Sequence, residues 1–135
     1  MIKKMAFIIR SLPYKTEASR LAMTHAIASQ TVEIYLEDGD NVEPIVALIG
    51  DGVLNGLKNQ STKCYGITTL EQHIKNGLLL DLPIMYCKED VERFGLSESD
   101  LLMDADDLGG DMKARIVPMS EINAVLATAD HMQIF

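Results

Sequence analysis

The sequence predicts an α/β domain in which helices cover both faces of a mainly parallel sheet of about five strands, a three-layer α/β/α arrangement. Short apolar runs recur along the chain, and a segment with helical spacing follows most of them. Strands that alternate with helices in this way form parallel sheets. The 135 residues also suit one domain, so residues 1–135 are expected to fold as a single unit.

Five short, largely apolar runs predict the strands of this sheet. They cover residues 4–10, 44–49, 82–86, 115–118 and 131–135. Residues able to cap a first turn precede or open several of the helices: Thr16, Thr68 or Thr69, and Ser120. Gly95 stands where a helix C-terminus commonly ends in a glycine. The predicted helices cover residues 17–30, 53–58, 70–79, 88–94 and 120–129.

Two segments have patterns that are harder to assign. Residues 31–43 combine an alternating apolar pattern with strong turn residues, which fits either an edge strand or an irregular excursion. Residues 97–111 are acidic and predict a short helix and a loop closed by Gly109 and Gly110. The acidic loop lacks the ligand spacing of an EF-hand, so a solvated loop is expected there.

Composition excludes several classes of protein. A content of 47% apolar and 24% charged residues is typical of a folded globular chain. The net charge of −8 argues against general nucleic-acid binding, although five of the bases lie in residues 1–20. No apolar run is long enough to span a bilayer, and the N-terminal apolar stretch is too short for a secretory signal. We therefore expect a cytoplasmic protein that contacts neither a membrane nor nucleic acid directly.

The two cysteines, Cys64 and Cys87, do not form a zinc-binding pattern, because no CxxC pairs are present. A disulfide between them is not expected in a reducing compartment. The phosphate-binding patterns GxGxxG and GxxxxGK[ST] are also absent from the sequence. The cysteines are therefore of interest as thiols rather than as metal ligands or as a disulfide.

Cys87 is the strongest candidate for a reactive residue. It follows a predicted strand and precedes a predicted helix, at the sheet edge where Arg10 and Gly50 are also expected and where ligands collect in parallel sheets. The helix N-terminus and the neighbouring Lys88 would lower the pKa of the thiol and favour the nucleophilic thiolate, while Glu89 and the next acid would oppose this. The alternative is that Cys87 is a small buried apolar residue.

Several segments of the chain resemble the DsrE/DsrF/DsrH (TusD/TusC/TusB) family. The run Leu82–Leu96, with its cysteine between a strand and a short helix, resembles the cysteine segment of DsrE/TusD members. Residues 4–16 resemble the family's first strand and its Pro-x-x-Thr loop, and residues 129–135 resemble a terminal strand of the TusD type. The turn over residues 49–53, Ile-Gly-Asp-Gly-Val, resembles DsrF and DsrH members instead. The resemblance covers nearly the whole chain.

This resemblance implies an intracellular sulfur-relay protein without a metal or organic cofactor. Cys87 would accept sulfur from a donor protein as a persulfide and pass it to an acceptor protein, in tRNA thiolation or in sulfur oxidation. The subunits would assemble as homotrimers or hexamers, or with DsrE/F/H-type paralogues. Arg10, Tyr14 and Lys15 could form a positive rim around the site beside Lys88, and Cys64 could act as a second thiol.

Two other functions stay open at this point. The DsrF/DsrH-like turn favours a non-catalytic subunit that supports an active paralogue, and a flavodoxin-like domain that binds a small regulatory ligand is also compatible with the pattern. A carrier predicts a Cys87 thiol that is partly exposed and reacts faster than Cys64. A fully buried Cys87 would favour the assembly subunit.

Overall fold

The computed structural model describes residues 2–31 and 41–135. Five strands form one sheet: β1 (Ile2–Ile9), β2 (Asn41–Leu48), β3 (Ile84–Cys87), β4 (Arg115–Val117) and β5 (His131–Ile134). The strand order is β4-β3-β2-β1-β5, and every neighbouring pair is parallel. The predicted parallel five-stranded α/β fold is therefore confirmed.

In the described residues, four α-helices connect the strands: α1 (Ala18–Thr31), α2 (Leu70–Leu79), α3 (Lys88–Arg93) and α4 (Met119–Leu126). Short 3₁₀ helices occupy Gly50–Gly56, Lys63–Tyr65, Glu98–Asp100 and Asp106–Leu108. Within residues 2–31 and 41–135, no helix has the length and apolar content needed to cross a bilayer.

Helices lie on both faces of the sheet, which the pairing register shows. Phe7 is aligned with Val46 and then with Ile84, so these side chains point to one face, where Phe135 stacks between Phe7 and His25 of α1. Cys87 lies three residues after Ile84 and therefore points to the opposite face, where it contacts α4. The sheet is the middle of three layers.

The core is built from the strands and the helix sides that face them. The largest side chains with almost no exposure come from all parts of the described chain: Phe7, Ile9, Met23, Leu48, Ile74, Leu78, Leu82, Ile84, Tyr86, Leu101 and Ile122. β3 is buried along its whole length, as expected for an inner strand covered on both faces. The carboxyl end of β3, where Cys87 lies, is therefore buried between the neighbouring strands and the layers that cover the sheet.

Local capping chemistry predicted two helix starts correctly and one wrongly. The Thr69 hydroxyl accepts the Gln72 N–H at 3.1 Å and α2 has the predicted bounds, and the Thr16 hydroxyl accepts the Ala18 N–H at the start of α1. The prediction that Ser120 opens the last helix is wrong. Pro118 occupies the N-cap position of α4 without a side-chain cap.

The segment after β2 differs from the prediction because it is tightly wound. A helix was expected over 53–58, but a 3₁₀ helix begins already at Gly50, which has φ +55°. Gly52 lies so close to the Ile9 carbonyl that a Cβ atom there would overlap it. The turn therefore packs directly against the end of β1.

The sequence pattern of residues 31–43 fits either an edge strand or an irregular segment. In the structure, the two ends of this segment belong to α1 and β2 instead. Thr31 is the last residue of α1, and residues 41–43 begin β2, an inner strand between β3 and β1. The remaining residues, 32–40, lie outside the described part of the chain. The acidic segment 97–111 contains two 3₁₀ turns, and Gly109 ends the second with φ +83°.

Candidate functional site

Cys87 is the last residue of β3 and the N-cap residue of α3. The predicted position between a strand and a helix is therefore confirmed. The prediction that its thiol is partly exposed is wrong, because only 2% of the residue is accessible to solvent. Sequence spacing located the strand end correctly but carried no information about what packs over it.

The side chains of Glu89 and Met119 lie close to the Cys87 sulfur. The Glu89 carboxylate oxygen Oε2 lies 3.4 Å from Sγ, and the thioether sulfur of Met119 lies at 3.9 Å. The same Glu89 oxygen accepts the backbone N–H of Met119 at 2.8 Å. One carboxylate oxygen thus contacts the thiol and the first residue of α4 together.

Asp90 joins α3 to the turn that follows β2. Its Oδ2 atom accepts the Gly50 N–H at 2.7 Å, and its Oδ1 atom lies 3.3 Å from the Arg93 guanidinium. Arg93 also approaches Asp51 at 3.9 Å. The Asp90 carboxylate is therefore held from two sides, which fixes the start of α3 against the rest of the sheet edge.

The surroundings of Cys87 disfavour its thiolate. The pKa of the thiol is raised to about 11, and burial is the main cause. The backbone N–H of Asp90 lowers this pKa, as expected at a helix start, but the Asp90 and Glu89 side chains raise it further. The predicted lowering of the pKa is therefore wrong. Desolvation and two carboxylates outweigh the amides of a helix of six residues.

Both neighbouring carboxyl groups are ionised at neutral pH. The N–H groups of Glu89 itself and of Met119 lower the pKa of the Glu89 carboxyl, with a smaller contribution from Lys88. Burial opposes ionisation of Asp90, but the Gly50 N–H, the Cys87 thiol and the Arg93 charge together keep its pKa below the ordinary value. Cys87 is therefore a protonated thiol beside negative groups.

Of the other predicted site residues, only Lys88 adjoins Cys87 in the chain. Arg10 directly follows β1, and both Arg10 and Lys15 are exposed. The Tyr14 hydroxyl accepts the Leu70 N–H at 2.9 Å, and Cys64 is exposed in the 3₁₀ helix Lys63–Tyr65. In the described part of the chain, no hydrogen bond joins any of these residues to Cys87. Lys88 is adjacent in sequence but exposed, and its charge acts on Glu89.

Tyr14 belongs to a separate cavity. This cavity of about 240 Å³ lies between the N-terminal ends of α1 and α2, and its walls are Tyr14, Thr16, Glu17, Arg20, Tyr65, Ile67 and Leu70. The Tyr14 and Tyr65 rings face each other with centroids 6.4 Å apart. Since α1 covers the sheet face opposite to that of Cys87, the structure separates Tyr14 from Cys87.

The acidic loop carries ion pairs. Lys75 lies 2.8 Å from Asp107, and Lys113 lies 2.9 Å from Asp106. In the described ranges, 2–31 and 41–135, no three His, Cys, Asp or Glu side chains are arranged to hold a metal ion. Asp106 and Asp107 of this loop are thus paired with lysines at the surface.

The sequence identifies the acids Glu89 and Asp90 as charges that oppose ionisation of the thiol, but it does not identify Met119, whose sulfur contacts that of Cys87. Met119 lies 32 residues further along the chain, on α4. No sequence pattern links it to Cys87, and only the return of the chain across the sheet brings the two together.

Solved structures with the same fold extend over the whole chain. The YchN protein of E. coli has a TM-score of 0.74 with 20% sequence identity, covering 98% of this chain and 99% of that one. A conserved protein of unknown function from Bacteroides thetaiotaomicron, BT1422, has a TM-score of 0.55 with 15% identity, covering 97% of this chain and 94% of that one. These likenesses show the fold alone. No curated protein matches the chain.

The family comparison covers the whole sheet and the cysteine segment. The model of the DsrE/DsrF-like family matches residues 3–133, from β1 into β5. This is nearly the full chain, and it includes Cys87 and the turn at Gly50. The chain belongs to the DsrE/DsrF-like family.

Proposed function

We propose that this chain is a sulfur-relay subunit in which Cys87 carries sulfur as a persulfide. Membership of the DsrE/DsrF-like family indicates a role related to sulfur relay. The observation that supports the finer assignment is the position of Cys87, at the carboxyl end of an inner parallel strand and at the start of a helix. An exposed side chain, that of Glu89, lies against its sulfur.

The proposed transfer is an exchange between sulfur atoms. The Cys87 thiolate attacks the outer sulfur of a donor persulfide, R–S–SH, a new S–S bond forms at Cys87, and the donor leaves as the thiolate RS⁻. Cys87 then holds Cys–S–SH. An acceptor thiolate attacks that outer sulfur and Cys87 leaves as the thiolate again. One S–S bond forms and one breaks in each step, so no external oxidant or reductant is needed.

The enclosed thiol sets a condition on this transfer. With a pKa of about 11, only about one thiol in ten thousand is ionised at neutral pH. The attacking species is the thiolate, and it must also reach the donor sulfur. Loading therefore requires the side chains over Cys87 to move far enough for the donor sulfur to reach it.

The burial of Cys87 favours a second candidate, a non-catalytic subunit that supports an active paralogue. In that case Cys87 is a packing residue between β3 and α4, and its low exposure and raised pKa need no opening step. The DsrF/DsrH-like turn at Gly50, tied to α3 through Asp90, supports the same alternative.

Sulfur loading distinguishes the two candidates. The protein is incubated with a low-molecular-weight persulfide and its intact mass is measured before and after treatment with dithiothreitol. A carrier gains about 32 Da that dithiothreitol removes. Cys64→Ser should keep the gain that Cys87 provides and Cys87→Ser should lose it, whether or not the exposed Cys64 also reacts.

Equal loading of Cys87→Ser and the wild type would remove Cys87 from the proposal. A wild-type protein that takes up no sulfur, alone or with a paralogue, and binds that paralogue stably would support the assembly subunit. The cytoplasmic location and the assembly into trimers, hexamers or mixed complexes stay predictions. Light scattering on the purified protein measures the oligomeric state.

A further inference from the structure

We propose that Glu89 is a positioning residue that keeps the Cys87 thiol covered and protonated, and that sulfur transfer requires the displacement of its carboxylate. This inference rests on the proposed function, because it describes how the same cysteine would be opened. It concerns a side chain that the family resemblance did not single out.

One oxygen atom of Glu89 contacts both the Cys87 sulfur and the start of α4, and we call this arrangement the closed state. Oε2 of Glu89 lies 3.4 Å from the Cys87 sulfur and 2.8 Å from the Met119 backbone nitrogen. Met119 is the first residue of α4, and the N-cap residue Pro118 provides no side-chain hydrogen bond. The first N–H groups of a helix need external partners. Glu89 therefore supplies from α3 the cap that α4 lacks from its own sequence.

The position of Glu89 allows it to leave. Its side chain is exposed, whereas the Cys87 side chain beneath it is buried. The second neighbour of the sulfur, at 3.9 Å, is the side chain of Met119 itself. Displacement of the Glu89 carboxylate thus removes its contact with the Cys87 sulfur. It also breaks the hydrogen bond to the backbone N–H of Met119, the residue whose side chain contacts the same sulfur. The contact at the sulfur and the hydrogen bond that holds the start of α4 are therefore lost in one event.

Charge points to Glu89 as the removable group. The ionised side chains that act on the thiol in the described residues belong to Glu89 and Asp90, both on α3. Asp90 is held by the Gly50 N–H and by an ion pair with Arg93. In those residues the Glu89 carboxylate has no ion pair, and besides the thiol it accepts from two backbone N–H groups, its own and that of Met119. From α4 the sulfur meets the uncharged Met119, and Lys88 is exposed. A carboxylate that accepts the S–H proton stabilises the protonated thiol.

A general base in the same place would have the opposite effect on reactivity. If Glu89 activated Cys87 by taking its proton during attack, removal of its charge would slow every reaction of the thiol. If Glu89 keeps the thiol closed, removal of the charge raises the thiolate fraction and speeds those reactions. The sign of the change therefore separates the two roles.

The test measures alkylation of Cys87 by iodoacetamide, in a Cys64→Ser background, from neutral to alkaline pH. Glu89→Gln keeps the length and an acceptor oxygen for Met119 but removes the charge, and Glu89→Ala removes the contact as well. Glu92→Gln, an exposed acid on the same helix, is the matched control. We expect Glu89→Gln to react about tenfold faster near neutral pH, equivalent to a pKa lowered by about one unit.

The curve of alkylation rate against pH should shift to lower pH for Glu89→Gln. For Glu92→Gln it should coincide with the curve of the Cys64→Ser protein. Glu89→Ala should react faster still, because the cover is also lost. An unchanged or slower Glu89→Gln would overturn the proposal, and a slower one would assign Glu89 as a base.

Alkylation needs no sulfur transfer, so it separates this inference from the proposed function. If the wild type takes up no sulfur while Glu89→Gln is alkylated faster, the positioning role stands and the carrier function fails. If the wild type is loaded but Glu89→Gln alkylates unchanged, the carrier function stands and the positioning role fails. Circular dichroism of each variant confirms that the fold is retained.

Discussion

The Asp90 carboxylate accepts the Gly50 N–H at 2.7 Å, and this bond ties the helix behind Cys87 to the turn that ends β2. The two segments resemble different members of the family in sequence, DsrE for the cysteine helix and DsrF or DsrH for the turn. In the structure they form one unit at the carboxyl edge of the sheet. Changes at either segment are therefore expected to affect the other.

Asp90→Asn should change the acid sensitivity of the protein. The folded pKa of Asp90 lies below its ordinary value, so its contribution to stability is present above the unfolded pKa of about 3.9 and is lost as the pH falls through the folded pKa. We expect the variant to be about 1 kcal/mol less stable at neutral pH and to lose less stability on acidification. Urea unfolding at a series of pH values measures both effects.

Asp111→Asn, at an exposed carboxylate, is the control and should follow the wild-type pH dependence. If Asp90→Asn and the wild type lose stability in parallel below the unfolded pKa, the bond to Gly50 does not depend on the ionised carboxylate.

The two cysteines should be alkylated in the reverse of the order that the sequence predicts. Cys64 is exposed, whereas Cys87 is 2% exposed with a thiol pKa of about 11. Brief treatment of the native protein with iodoacetamide should label Cys64, and Cys87 should be labelled only after unfolding in guanidinium or at strongly alkaline pH. Peptide mass spectrometry identifies the labelled residue. Fast labelling of Cys87 in the native protein at neutral pH would show that the closed arrangement is not the dominant one.

Tyr86→Phe should destabilise the protein through one lost hydrogen bond. The Tyr86 hydroxyl donates to the Leu102 carbonyl at 2.8 Å, and the residue has no solvent exposure. Removal of the hydroxyl leaves that buried carbonyl without this donor, which costs about 1 kcal/mol. Tyr65→Phe, at a residue that is 65% exposed, changes the same group and should leave the urea midpoint unchanged. Equal midpoints for the two variants would contradict the assigned bond.

Gly52→Ala and Gly50→Ala form a matched pair in one turn. A Cβ atom at Gly52 would overlap the Ile9 carbonyl, so the backbone must shift, and we expect a loss of about 3 kcal/mol or more. Gly50 has free space around a Cβ but φ of +55°, which costs a non-glycine residue about 1–2 kcal/mol. The midpoint temperature of thermal unfolding should therefore be lower for Gly52→Ala than for Gly50→Ala. The reverse order would mean that the turn does not pack on β1 as described.

Much of the fold could be predicted because its signals are local. The cap at Thr69 and the apolar spacing after it define α2 within a few residues, and the apolar runs locate all five strands. The start of α4 was misplaced because Pro118 takes the N-cap position and the capping carboxylate comes from Glu89, on another helix. A cap of this kind cannot be predicted from the residues next to the helix, because the capping carboxylate lies 30 residues away in the chain.

The sequence by itself determined the alternation of strands and helices, the parallel sheet and the place of Cys87 at the end of a strand. Each of these follows from spacing along the chain. Only the tertiary structure decided that the thiol is enclosed and protonated. Desolvation depends on every atom packed around the sulfur, and those atoms include side chains of α3 and, 32 residues further along the chain, of Met119 in α4.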